Sequence, residues 1–164
     1  MARSLELDAA ADDVARAMLT RACGSSRWVD RMMARRPFGR DAKMLTAARV
    51  EWFALSEPDW LEAFSHHPQI GDRAALDARF PQTHDLSATE QSGIGIGGAD
   101  ALTALAQANT DYFNRFGFIF IVCATGKSAE EMLALLLSRL QNDRPTELRI
   151  AAEEQAKITA LRLS

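Results

Sequence analysis

Tyrosine occurs once in this chain and cysteine twice, so any chemistry built on those side chains has little to work with. Cys23 and Cys123 lack the paired spacing of a zinc site or a redox motif and are too sparse for a disulfide scaffold, so both are expected to be reduced and buried. Cys123 sits among Ile121, Val122 and Ala124, an apolar setting that suits packing better than nucleophilic attack. Charge of one sign is also missing: 19 Lys and Arg face 22 Asp and Glu, for a net charge of −3. No basic footprint for nucleic acid or an anionic membrane follows from that balance. No apolar run approaches the roughly 18 residues of a membrane helix, and the start Met1-Ala2-Arg3-Ser4-Leu5-Glu6 turns acidic without a signal-peptide core. A soluble, cytoplasmic protein is expected.

Metal ligands are equally scarce. Of three histidines, His66 and His67 are adjacent and His84 is distant, with no His-Glu-x-x-His or paired-Cys spacing, so no metal is expected. Glycines at 93, 95, 97 and 98 form a rich run, yet neither Gly-x-Gly-x-x-Gly nor a Gly-Lys-Ser/Thr ending is matched, which excludes a phosphate loop.

Apolar residues are plentiful. At 48% of 164 residues they suffice for one core, and no linker or repeat divides the chain, so 1–164 reads as a single domain. Helical spacing recurs. Asp12–Cys23 carries Val14, Met18 and Ala22, with Asp8 or Asp12 as N-cap; Ser25 or Ser26 caps a short helix with Trp28, Val29, Met32 and Met33. A helix from Asp41 aligns Leu45, Ala48, Trp52 and Leu55, and Glu57-Pro58-Asp59 opens another that leads through Trp60, Leu61 and Phe64 to the histidines. Arg73–Phe80 could add two turns before a polar loop at 81–85. Asp100–Phe116 is a clear helix, ended by Gly117, and Ser128 with Glu131 caps one bearing Met132, Leu133, Leu136, Leu137 and Leu140. Pro145 opens the last, with Leu148, Ala151, Gln155, Ile158 and Arg162 in its stripe. The run Phe118–Ala124 is short and has no partner strands. The class is therefore all-α, a bundle of about seven to nine helices.

Ser65-His66-His67-Pro68-Gln69-Ile70-Gly71-Asp72 is the stretch on which chemistry converges. Pro68 fixes its own φ and pushes His67 out of the α region, so an imidazole sits at a helix exit, where it serves either as a plain helix stop or as a proton carrier near neutral pH. Ser87-x-x-Glu90 has the form of a capping box, but the glycines that follow leave room for a turn or two only; capping or ligand binding by Ser87, Glu90 and Gln91 both fit. Arg162 and Asn109 pose similar choices. The arginine either complements a helix C-terminus or aims its donor fork into a pocket, and the asparagine is a satisfied core amide or a pocket-facing one.

Together these residues resemble a known family. His67-Pro68-Gln69-Ile70-Gly71-Asp72 is similar to a His-Pro-Arg-Ile-Gly-Asp signature with Gln69 in place of arginine, Ser87-x-x-Glu90-Gln91-x-Gly93 to a second, and Asn109-x-x-Tyr112-x-x-x-Phe116-Gly117-Phe118 with Phe120-Ile121-Val122 to a third. The family is the 2-oxo-4-hydroxy-4-carboxy-5-ureidoimidazoline (OHCU) decarboxylases, whose enzymes complete the route from urate to allantoin. Trp28, Arg36-Pro37-Phe38, Asp59-Trp60-Leu61-x-Ala63-Phe64 and Ile158-x-x-Leu161-Arg162-Leu163 extend the likeness over nearly the whole chain.

The resemblance implies an all-helical homodimer that decarboxylates a small ureidoimidazoline without cofactor or metal and yields S-allantoin. His67 and Glu90 would be catalytic. Pro68, Ser87, Gln91, Arg162 and the segment Phe120, Ile121, Val122, Cys123 and Ala124 would bind substrate. Gln69 removes a positive charge from the first signature and puts in doubt any role of that arginine. Two other function classes compete: a catalytically silent helical binding or adaptor domain, and a hydrolase of a related ureido compound. The ending Leu161-Arg162-Leu163-Ser164 differs from a peroxisomal signal, which leaves cytoplasm as the expected location.

Overall fold

A computed structural model describes residues 1–68 and 99–164. The expected turns at 73–80, the loop at 81–85, Ser87, Glu90, Gln91 and the glycine run at 93–98 lie outside the described residues. Among the described residues there are eight helices and no strand, so the protein is all-α. Two compact units share them, one of Met1–His67, Ile121–Cys123 and Ile150–Ser164, the other of Pro68–Phe120 and Ala124–Arg149.

The first unit holds α1 (Arg3–Ala9), α2 (Asp12–Ala22), α3 (Ser26–Ala34), α4 (Asp41–Phe53) and α5 (Glu57–Ser65). It also takes most of the last helix, α8 (Arg144–Leu163). Its core is organised by tryptophans. Trp28 and Trp52 are almost wholly buried, and a buried indole N–H needs an acceptor. Trp28 Nε1 donates to Ala48 O at 3.0 Å, Trp52 Nε1 to Ala152 O at 2.8 Å and Trp60 Nε1 to Trp52 O at 3.0 Å. Each bond uses the second lone pair of a helical carbonyl, so α3, α4, α5 and α8 are fixed to one another by direction as well as by apolar area.

Local sequence explains most element ends. Ser25 accepts from Trp28 N at the start of α3, and at α5 Ser56 and Asp59 form a capping box with Pro58 in the first turn. The N-cap of α2 differs from expectation. Ala11 occupies it, because Asp8 is engaged elsewhere, accepting from Phe38 N and Gly39 N at 2.8 Å each. The buried row of α2 is Ala15, Leu19 and Ala22, whereas Val14 is 49% exposed. Both rows obey helical spacing, so periodicity alone could not choose between them. Helix α1 has no counterpart in the sequence reading; seven residues with Leu7 as their one large buried side chain give too little pattern. It is tied down by Ser4 N, which donates to Asp41 Oδ1 at 2.8 Å, and that bond holds the Asp41 carboxyl below its ordinary range.

The second unit holds α6 (Ala99–Phe116), α7 (Ala129–Arg139) and the first turns of α8. Gly117, at φ 82°, ends α6 in the left-handed region, where a side chain would be strained. The chain beyond it is irregular, with Phe118 and Phe120 buried against Tyr112 at ring distances of 5.9 and 5.3 Å. Tyr112 hydroxyl donates to Glu147 Oε1, which also receives Arg139 Nε at 2.6 Å, and Asn142 Nδ2 donates to the other carboxylate oxygen at 3.1 Å. Burial first, and the Glu147 carboxylate second, hold the Tyr112 hydroxyl protonated well above the ordinary tyrosine range. Arg139 lies 4.5 Å over the Phe120 ring, so an expected leucine face carries a buried guanidinium while Leu137 is 49% exposed.

Candidate functional site

Helix α5 delivers the histidines as its sequence predicts. Phe64 is buried against Trp52, and Glu62 fixes the helix from outside by accepting Ser26 N at 2.7 Å and Ser26 Oγ at 2.6 Å, at the first turn of α3. Negative charge there is favoured by the α3 dipole. At the exit, His66 N bonds to Ala63 O and His67 N to Phe64 O, which tightens the last turn and leaves Pro68 nowhere to continue a helix.

Each imidazole then meets a different partner within the first unit. His66 lies against the connection between α2 and α3. A Cβ built on Gly24 would stand 2.5 Å from His66 Cγ and 2.8 Å from its Cβ, closer than real atoms approach. Glycine is required here for room. Gly24→Ala is accordingly expected to cost about 1–3 kcal/mol of stability, since atoms near the His66 backbone must move. The same shift should slow turnover by displacing His67; urea unfolding and initial rates at wild-type level would show that the corner tolerates a methyl.

His67 is half-buried, and its Nε2 lies 2.5 Å from Gln155 Oε1. Gln155 is buried on α8, and its Nε2 donates to Thr159 Oγ1 at 3.0 Å, one turn further along. Thr159 in turn hydrogen-bonds the Cys23 sulfur, as does the backbone of Ser25. Burial pushes the Cys23 thiol up to about 11, so it is a neutral packing group near pH 7, as expected from its sequence.

The other expected site residues are placed as follows. Arg162 is exposed, and its Nη1 donates to Arg21 O at 3.3 Å and Ala22 O at 3.5 Å. It bonds the C-terminal carbonyls of α2 while standing in the last turn of its own helix. Ile121 and Val122 are buried, and Cys123 N donates to Glu154 Oε1 at 3.1 Å, so the first unit holds this backbone from α8 as well. Pro68, Phe120 and Ala124 belong to the second unit. Asn109 is buried and donates to Leu105 O at 2.9 Å, which satisfies its amide nitrogen within α6. Among the described residues no three His, Cys, Asp or Glu side chains are grouped to hold a metal ion.

Gln155 is the residue that sequence reasoning passed over. Its signal was present, an amide inside an otherwise apolar stripe, but nothing in the sequence names a partner on another helix.

The family model described as OHCU decarboxylase matches residues 8–164. The chain belongs to the OHCU decarboxylase family. Among similar proteins, the uric acid degradation bifunctional protein TTL of Arabidopsis thaliana is 41% identical over 142 residues, covering 87% of this chain and 44% of that one. The 2-oxo-4-hydroxy-4-carboxy-5-ureidoimidazoline decarboxylase of Haloferax volcanii is 26% identical over 145 residues, covering 85% of this chain and 80% of that one. A crystal structure of OHCU decarboxylase in the presence of (S)-allantoin superposes with a TM-score of 0.72 at 37% identity, covering 94% of this chain and 96% of the other. The chain spans under half the length of the bifunctional relatives, 44% of the Arabidopsis protein and 27% of the Bacillus subtilis one. As an OHCU decarboxylase family member, the protein has its first signature histidine where α5 meets α8.

Proposed function

We propose that this protein decarboxylates 2-oxo-4-hydroxy-4-carboxy-5-ureidoimidazoline to S-allantoin, the last step from urate to allantoin, acting as a carboxy-lyase without cofactor or metal. The observation that carries this reading is His67 itself: a half-buried imidazole at a helix exit, held by a buried amide 2.5 Å away in a chain that belongs to the decarboxylase family. A similar solved structure is that of an OHCU decarboxylase in the presence of (S)-allantoin, which supports the reading.

The chemistry asks little of the protein. The bond from the ring carbon to the carboxylate breaks, carbon dioxide leaves, and the electron pair passes into the adjoining ring imine; the hydroxyl on the same carbon then gives up its proton as it becomes the carbonyl of the product, and the neighbouring carbon takes one up. The substrate is thus its own electron sink. What remains is orientation and a proton delivered to one face, which a histidine with a near-neutral pKa can supply. Glu90 would hold substrate beside His67, and Ser87, Gln91, Pro68, Arg162 and the 120–124 backbone would complete the pocket. One-sided protonation sets the stereochemistry. The reading includes one decarboxylase domain over 1–164, a homodimer and a cytoplasmic location.

The experiment generates substrate in situ from urate with urate oxidase and hydroxyisourate hydrolase and follows circular dichroism of the product. Spontaneous decay gives a racemate and a flat trace. A rapid S-allantoin signal on adding this protein is the expected outcome. A flat trace from folded protein with active upstream enzymes would favour a silent binding domain, and ammonia or urea release would favour a hydrolase.

A further inference from the structure

Resting on that decarboxylase reading, we propose that Gln155 is a positioning residue that fixes the tautomer of His67, so that Nδ1 is the ring nitrogen that exchanges the catalytic proton. The argument starts at Thr159. Gln155 Nε2 donates to Thr159 Oγ1 at 3.0 Å, and the same hydroxyl reaches the Cys23 sulfur. Both groups are deeply buried, Gln155 at 1% and Thr159 at 4% exposure, so water does not compete for their bonding. With its nitrogen committed to Thr159, the Gln155 amide presents its oxygen to His67. An amide oxygen accepts and never donates. The ring nitrogen 2.5 Å away must therefore bring the proton, which makes the neutral ring the Nε2–H form with its lone pair on Nδ1.

The choice of an amide also suits the reaction. A carboxylate at this position would stabilise the imidazolium and hold its proton more tightly. Gln155 orients both the neutral and the protonated ring while adding no charge, so His67 can return a proton to carbon. A buried glutamine that served packing alone would be replaceable by methionine or leucine. Here both ends of the amide are used, and removing it takes the acceptor from His67 Nε2 and leaves the buried Thr159 short of a partner that burial makes hard to replace.

The test labels the histidine rings with ¹⁵N and reads His67 through two-bond proton–nitrogen correlations, assigned by the signal lost in His67→Asn. In the wild type Nε2 is expected to be protonated and Nδ1 to carry the lone-pair shift at a pH where the ring is neutral. Gln155→Leu should mix the tautomers and lower kcat about 10²-fold with KM roughly unchanged, because the proton-transfer contribution is lost while binding persists. Gln155→Glu restores an acceptor oxygen and should restore the Nε2–H signature. Thr159→Val releases the amide to rotate and should weaken that signature without touching His67 directly. A wild-type ring protonated at Nδ1 overturns the proposal, as does Gln155→Leu with wild-type kcat. Should Gln155→Leu fail to fold, the wild-type and Thr159→Val spectra decide. The two readings fail separately: an Nε2–H ring without S-allantoin formation sinks the activity alone, whereas S-allantoin formation with an Nδ1–H ring sinks the role of Gln155 alone.

Discussion

Glu147→Ala is expected to lower the unfolding free energy by about 3–5 kcal/mol, the cost of removing one partner from a buried ionic group and leaving the other uncompensated. Glu147 is fully buried, and its carboxylate is the acceptor on which Tyr112, Arg139 and Asn142 converge. Arg139, itself 7% exposed, would keep its charge with that carboxylate gone. The pair does not by itself make the protein stable, since two charges taken from water offset most of their attraction. That distinction is testable. Arg139→Met combined with Glu147→Leu removes both charges and should recover most of the loss, whereas either single change should not. Tyr112→Phe, which deletes one neutral donor and leaves the ion pair, is expected to cost about 0.5–1.5 kcal/mol. Urea unfolding with unchanged slope measures all five variants. A Glu147→Ala protein within about 1 kcal/mol of wild type would mean that water or a shifted side chain replaces the carboxylate.

This cluster also shows where the sequence was legible and where it was not. Ends of elements were readable because capping is local: Ser25 before α3, Pro58 and Asp59 at α5, Ser128 at α7 and Gly117 after α6 each act within a turn of where they stand. The all-α class follows from the same local periods. Faces were less readable. In α7 the leucines at 133, 136, 137 and 140 outline an apolar stripe, yet Leu137 is half exposed and Arg139 is buried, because its partner Glu147 lies across a turn in α8. Arg162 was placed on the buried stripe of α8 by spacing, and it is exposed because α2 ends beside it with carbonyls to satisfy. The place of His67 at a helix exit was readable from the proline beside it, whereas its catalytic role came only as what the family resemblance implies. Its partner Gln155 could not be read, since it is 88 residues away and only packing joins them.

His67→Asn is expected to lower kcat by about 10²–10⁴-fold, the contribution typical of a positioned proton donor or acceptor. The substitution is chosen to separate chemistry from structure. Asparagine keeps a polar side chain at the exit of α5 and leaves the Pro68 junction intact, so far-UV dichroism and the urea midpoint should stay near those of wild type apart from the cost of the Gln155 bond. Losing that bond leaves a buried acceptor short of its donor, worth about 1–3 kcal/mol. Product formed at the residual rate should be racemic, because uncatalysed decay has no preferred face. Retention of near wild-type turnover, or of a strongly dichroic product, would remove His67 from the chemistry. The sharper test pairs this change with Gln155→Leu. If Gln155 acts only through His67, the double variant should be no slower than His67→Asn alone, as groups that work as one unit are strongly non-additive. Multiplying losses would instead mean that Gln155 reaches the reaction by a route of its own.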